Sequence, residues 1–207
     1  MNRIVDLLIR IERRVYITIK RIRLRNKNFT IISSNCNGAF ILHDLGQPFN
    51  SPTVDLFIKA KDFLKLNKNL KYYMNIEPVE VHENGVSFPV GMIGDIKIYF
   101  MHYQTFEQAR GKWMERVRRI NYNNIFILMT DKDGCTYEDL CEFEQLPYDH
   151  KIVLTHKSYA ELKSTYKIAG FEKDTEVGIL SDWKPGFFRR RWLDDFDYVS
   201  FLNGKEI

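Results

Sequence analysis

The run Ile125 to Met129, "IFILM", is apolar throughout and halts abruptly at Thr130-Asp131. A strand without polar alternation has both faces covered, and sheets covered on both faces are typically parallel sheets wrapped by helices. Two other runs have the same character: "FTIIS", from Phe29 to Ser33, and "KIVLT", ending at Thr155-His156. Between them the period changes to that of helices. "CNGAFILHDLG" reads as a turn and a short helix. In "TVDLFIKAKDFLKLNKNLKYYMN" the residues Val54, Ile58, Phe63, Leu66 and Leu70 keep helical spacing. "TFEQARGKWMERVRRIN" has Thr105 as N-cap and a buried stripe of Phe106, Ala109, Trp113 and Val117. "TYEDLCEFEQL" is capped by Thr136 and carries Glu138 and Asp139 in its first turn, favourable for the helix dipole. "PVEVHENGVSFPVGMIGDIKIYFMHY" switches to period two around an Asn84-Gly85 turn, with a last strand from Ile96 to Met101. The C-terminal "RRRWLDDFDYVSFLN" reads as a closing helix. Together these predict an α/β layered sandwich with a largely parallel sheet and an antiparallel hairpin region.

A basic amphipathic helix precedes this domain, so the chain divides at 1–27 and 28–207. Nine Lys or Arg fall in the first 27 residues against Asp6 and Glu12, although the whole chain of 207 residues is only +4. Ile4, Leu7, Leu8, Ile11, Val15 and Ile19 share helical spacing, with Arg10, Arg13, Arg14 and Arg21 largely elsewhere around the wheel. Two partners suit such a helix. One is an anionic membrane surface, where apolar burial and basic charge act together. The other is the protein itself, either its own domain, with the arginines left in solvent, or a second copy in an oligomer contact. Nucleic acid is not expected, because nothing here interleaves base-stacking aromatics with base-reading groups.

No apolar run approaches the length needed to span a bilayer, and the first residues lack the apolar h-region and small-residue cleavage site expected of a secretory signal. The three cysteines, Cys36, Cys135 and Cys141, match no zinc spacing and read as reduced thiols. The expected location is therefore cytoplasmic, peripheral at the inner face of the cell membrane if the helix binds lipid.

Open α/β sheets hold ligands outside the carboxyl ends of their strands. The predicted strands end in Ser33-Ser34-Asn35-Cys36, in His102-Tyr103, in Thr130-Asp131 and in Thr155-His156. A thiol just before a helix N-terminus feels the positive end of the dipole, which favours thiolate. Cys36 is thus a candidate nucleophile, with His102 or His156 as base and the N–H groups of Asn37 and Gly38 as oxyanion donors. A packed structural cysteine is the competing reading. Asn35 and Asn37 are suited equally to hydrogen-bonding a sugar without a covalent step. In "MTDKDG", Asp131 and Asp133 stand at i and i+2 in a loop, a spacing that can hold a divalent ion on a sugar nucleotide. An Asp-Gly turn closing a strand explains them as well. Arg116 and Arg119 lie three apart on one helix face and could clamp a phosphate or carboxylate. His43 and Asp44 are adjacent on a helix and cannot face the same way.

The stretches "FTIISSNCNGAFILHDLG", "FNSPTVDLFI", "FPVGMIGDIKIYFMHY", "TFEQARGKWMERVRRIN" and "IFILMTDKDGCTYEDL" resemble the bacterial family catalogued as domain of unknown function 1919, over roughly residues 25 to 160. Its members are often labelled exopolysaccharide biosynthesis proteins. The resemblance implies an α/β protein of surface-polysaccharide assembly, with an acetyltransferase label on some relatives and no established catalytic residues. The family's recurring stretches map onto Ser34, Asn35, Cys36, Asn37 and Gly38, onto His102 and Tyr103, and onto Trp113, Arg116, Arg119 and Asn121. The expectation is a group-transfer enzyme acting on a sugar or glycan, with O-acyl transfer from an acyl donor as its specific form. A metal-dependent glycosyltransferase and a membrane-associated carbohydrate-binding scaffold are the alternatives.

Overall fold

The computed structural model describes residues 3–205, leaving aside the side chains of Arg3, Ile4 and Asp6. Four strands, β1 (Thr30–Ser33), β5 (Ile125–Thr130), β6 (Lys151–Thr155) and β7 (Thr165–Lys167), form one parallel sheet in the order β1-β5-β6-β7. A separate antiparallel sheet has the order β2-β3-β4, from Val79–Val81, Val90–Ile93 and Ile96–Tyr99. The apolar runs behave as their composition demands, because successive residues enter opposite cores. Ile32, Ile127, Met129 and Val153 face a core shared with Phe63, Leu66, Phe100 and Trp113. Ile31, Phe126, Leu128, Ile152 and Leu154 face the other, with Ile41, Leu45, Leu180, Phe196 and Leu202. The first core is covered by helices α3 (Ala60–Lys68), α4 (Leu70–Met74), α5 (Phe106–Val117) and α6 (Tyr137–Glu144). The second is covered by α2 (Asn37–Leu45) and α7 (Tyr198–Leu202).

The helix starts follow the side chains. Thr105 accepts a hydrogen bond from the Gln108 N–H, and Thr136 with Asp139 completes a capping box. Elsewhere tertiary pairing overrides local spacing. The long helix expected from Thr53 begins only at Ala60, because the chain bends at Val54-Asp55 and then pairs as a bridge: Phe57 exchanges both backbone hydrogen bonds with Tyr99, and the Ile58 N–H donates to Ser34 O at 2.8 Å. Val54, Leu56 and Ile58 are the buried members of a period-two segment. Asp55 between them takes a left-handed φ of 64°. The Asn84-Gly85 turn sits in the loop joining β2 to β3, and the tight hairpin is at Gly94, where φ is 61°. The closing helix is split into a 3-10 turn (Trp192–Asp195) and α7 by an extended Phe196. The short β7 is additional.

Gly38 opens α2 against β1 at a distance only glycine allows. A Cβ there would lie 2.8 Å from Ser33 Cβ and 3.2 Å from Ile31 Cγ2, both fixed by a strand. Gly38→Ala should therefore cost about 1–3 kcal/mol by overpacking, read as an earlier urea midpoint at unchanged m-value.

Helix α1 (Arg3–Arg23) docks on the α2 and α7 side of the domain through its charged face, not its apolar one. Arg13 pairs with Asp44 at 2.6 Å and with Asp194 at 2.5 Å, and Lys20 reaches Asp194 at 3.1 Å. Arg23 pairs with Asp197, and Arg190 reaches back to Glu12. Neither sequence expectation had placed Arg13 and Lys20 inward. No described helix is long and apolar enough to cross a membrane.

Candidate functional site

The C-terminal ends of β1, β5 and β6 form one edge, as parallel neighbours must. At the β1 end, the polar cluster that follows the strand is spent on building the turn. Ser33 Oγ accepts the Gly38 N–H at 3.3 Å, and Asn35 Oδ1 accepts the Asn37 N–H at 3.1 Å. Asn35 Nδ2 donates to Thr130 Oγ1 at 2.8 Å, tying the β1 turn to the end of β5. The backbone of Ser34 is bonded on both sides, to Leu128 O and from the Ile58 N–H. The Asn37 and Gly38 N–H groups, expected as oxyanion donors, already have acceptors within the turn, and both residues are buried.

Cys36 is poorly suited to act as a nucleophile. It stands at the N-cap of α2, but its thiol donates to Leu56 O at 3.7 Å. Burial, with the charge of Asp55 added, pushes the thiol up to about 11. The dipole loses to desolvation. His102 is exposed and lines the same cleft as Cys36, with Phe40, Met101 and Lys132, but donates no hydrogen bond to it among the described residues. Because the thiolate fraction falls tenfold per unit, iodoacetamide at pH 8 should label Cys36 about 100-fold more slowly than an unperturbed thiol. Peptide mass spectrometry of a labelling time course reads this.

The remaining predicted ligand groups are anchors. Arg116 is buried, donates to Tyr103 Oη at 2.8 Å and to Val54 O at 3.4 Å, and lies 3.7 Å from Asp55. It holds the segment with the left-handed Asp55. Arg119 lies in the turn after α5 and pairs back with Glu115 of that helix, so the two arginines form no clamp. Asn121 lies at the opposite end of the sheet, where its N–H donates to Thr30 Oγ1 and its side chain to Asn28 O.

What the edge does bring together is Asp131 and His156, the residues directly following β5 and β6. His156 Nδ1 is 2.5 Å from Asp131 Oδ2, which also accepts the His156 N–H at 2.8 Å. Asp131 Oδ1 accepts the Val177 N–H at 2.9 Å. Both side chains are buried. Nδ1 thus carries the proton toward the carboxylate, and Nε2 is left as the ring atom available to a ligand. The two residues line a cavity of about 500 Å³ with Cys135, Tyr137, Lys157, Tyr159, Asp174 and Thr175. Burial pushes the Cys135 thiol up to about 12, so it too stays protonated. Tyr137 and Tyr159 face each other at 5.8 Å between ring centroids.

The expected metal pair is divided by this arrangement. Asp131 spends both oxygens on the chain, whereas Asp133, at a left-handed φ of 59°, lines the Cys36 cleft instead. Burial raises the Asp133 carboxyl, against the pull of Lys132. No group of three or more His, Cys, Asp or Glu side chains among the described residues is arranged to hold a metal ion. Sequence reading had selected Asp131 and His156 separately, since each ends an apolar run. Their pairing needed the strand order, which spacing does not encode.

A protein-family model, the domain of unknown function DUF1919, matches residues 9–203. The chain belongs to this family. An uncharacterised protein of Haemophilus influenzae is 44% identical over 186 residues, covering 90% of this chain and 89% of its relative. The DUF1919 match extends well beyond residue 160, so it includes Val177 and the C-terminal segment that completes the Asp131 site.

Proposed function

We propose that the protein is a group-transfer enzyme of surface-polysaccharide assembly, transferring an acyl group to a sugar hydroxyl at the Asp131–His156 cavity. The observation that supports this most is the 2.5 Å contact between His156 Nδ1 and Asp131 Oδ2 at the mouth of two adjacent parallel strands. A buried carboxylate on Nδ1 fixes the imidazole tautomer and orients the ring, which leaves Nε2 as the atom that accepts a proton. The polysaccharide setting comes from the family resemblance alone.

In this reading Nε2 takes the proton of an acceptor hydroxyl as its oxygen attacks the carbonyl carbon of an acyl thioester. The new C–O bond forms, the C–S bond breaks, and His156 returns the proton to the leaving thiolate. No covalent enzyme intermediate is needed, which accords with the protonated state of Cys36 and Cys135. Tyr137 and Tyr159 offer aromatic faces for a sugar ring, and Lys157, Asp174 and Thr175 offer polar partners. That same lining also favours a second reading, a carbohydrate-binding module without chemistry.

A deletion strain complemented with variants distinguishes the two. Wild type and Cys36→Ala should restore the O-acyl content of the surface polymer, measured by NMR, and His156→Gln should leave it at the deletion level. An acyl content that does not change on deletion overturns the transfer reading. His156→Gln that complements fully, with Tyr159→Ala failing, assigns binding in its place.

A further inference from the structure

Helix α1 presents its apolar residues to solvent. Leu7, Leu8, Ile11, Val15, Ile19 and Ile22 are between 46 and 76% exposed. At 100° per residue they occupy an arc of about 120°. Ile9, Arg13, Tyr16, Lys20 and Leu24 hold the helix to the domain from the opposite side, where Ile9, Lys20 and Leu24 are buried. Over Leu7 to Ile22 the stripe runs about 22 Å. Its border on one side is a row of exposed arginines, Arg10, Arg14 and Arg21. Its other border is Glu12, which is engaged by Arg190. The Arg190 guanidinium lies 6.0 Å from the ring of Phe188, which packs edge-on against Phe187, and these two rings are 58 and 62% exposed.

We infer that this stripe is a docking face for an anionic lipid bilayer, with α1 lying in the plane of the interface while still bound to its domain. A long aliphatic stripe, an arginine border and adjoining aromatics are the combination that burial at a charged lipid surface rewards. Charge decides against a second copy of the chain. Antiparallel two-fold pairing along the stripe would set the Arg10, Arg14 and Arg21 row against its own copy, and no acidic row faces it. Because the docked face is formed by ion pairs on the far side, the stripe needs no unfolding or swing to reach lipid. This inference is independent of the acyl-transfer reading.

The test is sedimentation of the full-length protein with vesicles of phosphatidylcholine, or of equal parts phosphatidylcholine and phosphatidylglycerol. Wild type should bind the anionic vesicles and neglect the neutral ones. An Ile11→Gln, Val15→Gln, Ile19→Gln triple variant should bind at least tenfold more weakly. So should an Arg10→Gln, Arg14→Gln variant. These residues are exposed, so the variants should fold, which circular dichroism checks. Absence of wild-type binding, or equal binding by the triple variant, overturns the inference. Equal binding to both vesicle types overturns its electrostatic half. A wild-type dimer in ultracentrifugation that the triple variant dissolves, with no vesicle binding, assigns the stripe to self-association.

Discussion

Asp194→Ala should unfold at markedly lower urea, with a loss of about 3–5 kcal/mol, the range for removing one partner of a buried ion pair. Asp194 is nearly inaccessible, and it receives Arg13 at 2.5 Å, Lys20 at 3.1 Å and the Arg191 N–H at 2.8 Å. Its removal strands the buried Lys20 ammonium and leaves Arg13 with Asp44 alone. The pair is not symmetrical. Burial alone would raise the Asp194 carboxyl, but Lys20, the Arg191 N–H and Arg13 outweigh it and hold it below the ordinary carboxylate range. Lys20 has fewer partners, and burial wins there despite Asp194, bringing its ammonium down to about 8. Lys20→Met in the Asp194→Ala background should recover part of the loss, because an apolar side chain has no charge to strand.

The same node has a pH signature. A carboxyl whose folded value lies below its unfolded one contributes stability that is complete above the unfolded value and is lost as pH falls through the folded one. For Asp194 the window therefore opens below about pH 4. In that range α1 should loosen first, since Asp197, its second anchor, is held down too, by Arg23 and Ser200 against its own burial. Trp183, which packs over Arg13, reports the loosening by fluorescence. Asp194→Asn should abolish most of the acid step.

Asp131→Ala is expected to be the most damaging change at the sheet edge, at about 3–5 kcal/mol. Three donors lose their acceptor at once: the His156 N–H, His156 Nδ1 and the Val177 N–H. Each buried donor left unsatisfied costs about 1–3 kcal/mol, and partial relaxation keeps the sum below the maximum. His156→Gln should be milder in chemical denaturation, because its backbone N–H keeps its carboxylate. If Asp131→Ala unfolds at the wild-type urea midpoint, the carboxylate is not the organiser described here. The contrast matters for function, because a stable His156→Gln protein isolates the chemistry of the ring from the integrity of the edge.

Much of the architecture was legible residue by residue. "IFILM" and "KIVL" announce strands buried on both faces because an apolar run has no side that tolerates water, and those strands do enter two cores. Thr105 and Thr136 announce helix starts because a hydroxyl at the N-cap satisfies an N–H that has no partner within the helix. The segment 53–59 was misread because Val54, Ile58 and Phe63 fit helical spacing, whereas pairing of Phe57 with Tyr99 and of Ile58 with Ser34 holds the backbone out of the helix. The site was legible only in its parts. Asp131 and His156 were each visible as polar residues closing a strand, but only the adjacency of β5 and β6 sets them 2.5 Å apart.

For α1 the division is sharpest. Composition and spacing determine that it is a basic amphipathic helix, since both follow from the order of residues along one element. Which face turns inward is set by what waits on the domain, and that is a cluster of carboxylates (Asp44, Asp194 and Asp197) drawn from distant parts of the chain. Those charges select the arginine and lysine face and leave leucine and isoleucine in solvent. No local pattern could decide it, because the energy of the choice lies in contacts between segments more than 170 residues apart, such as Lys20 with Asp194 and Arg23 with Asp197.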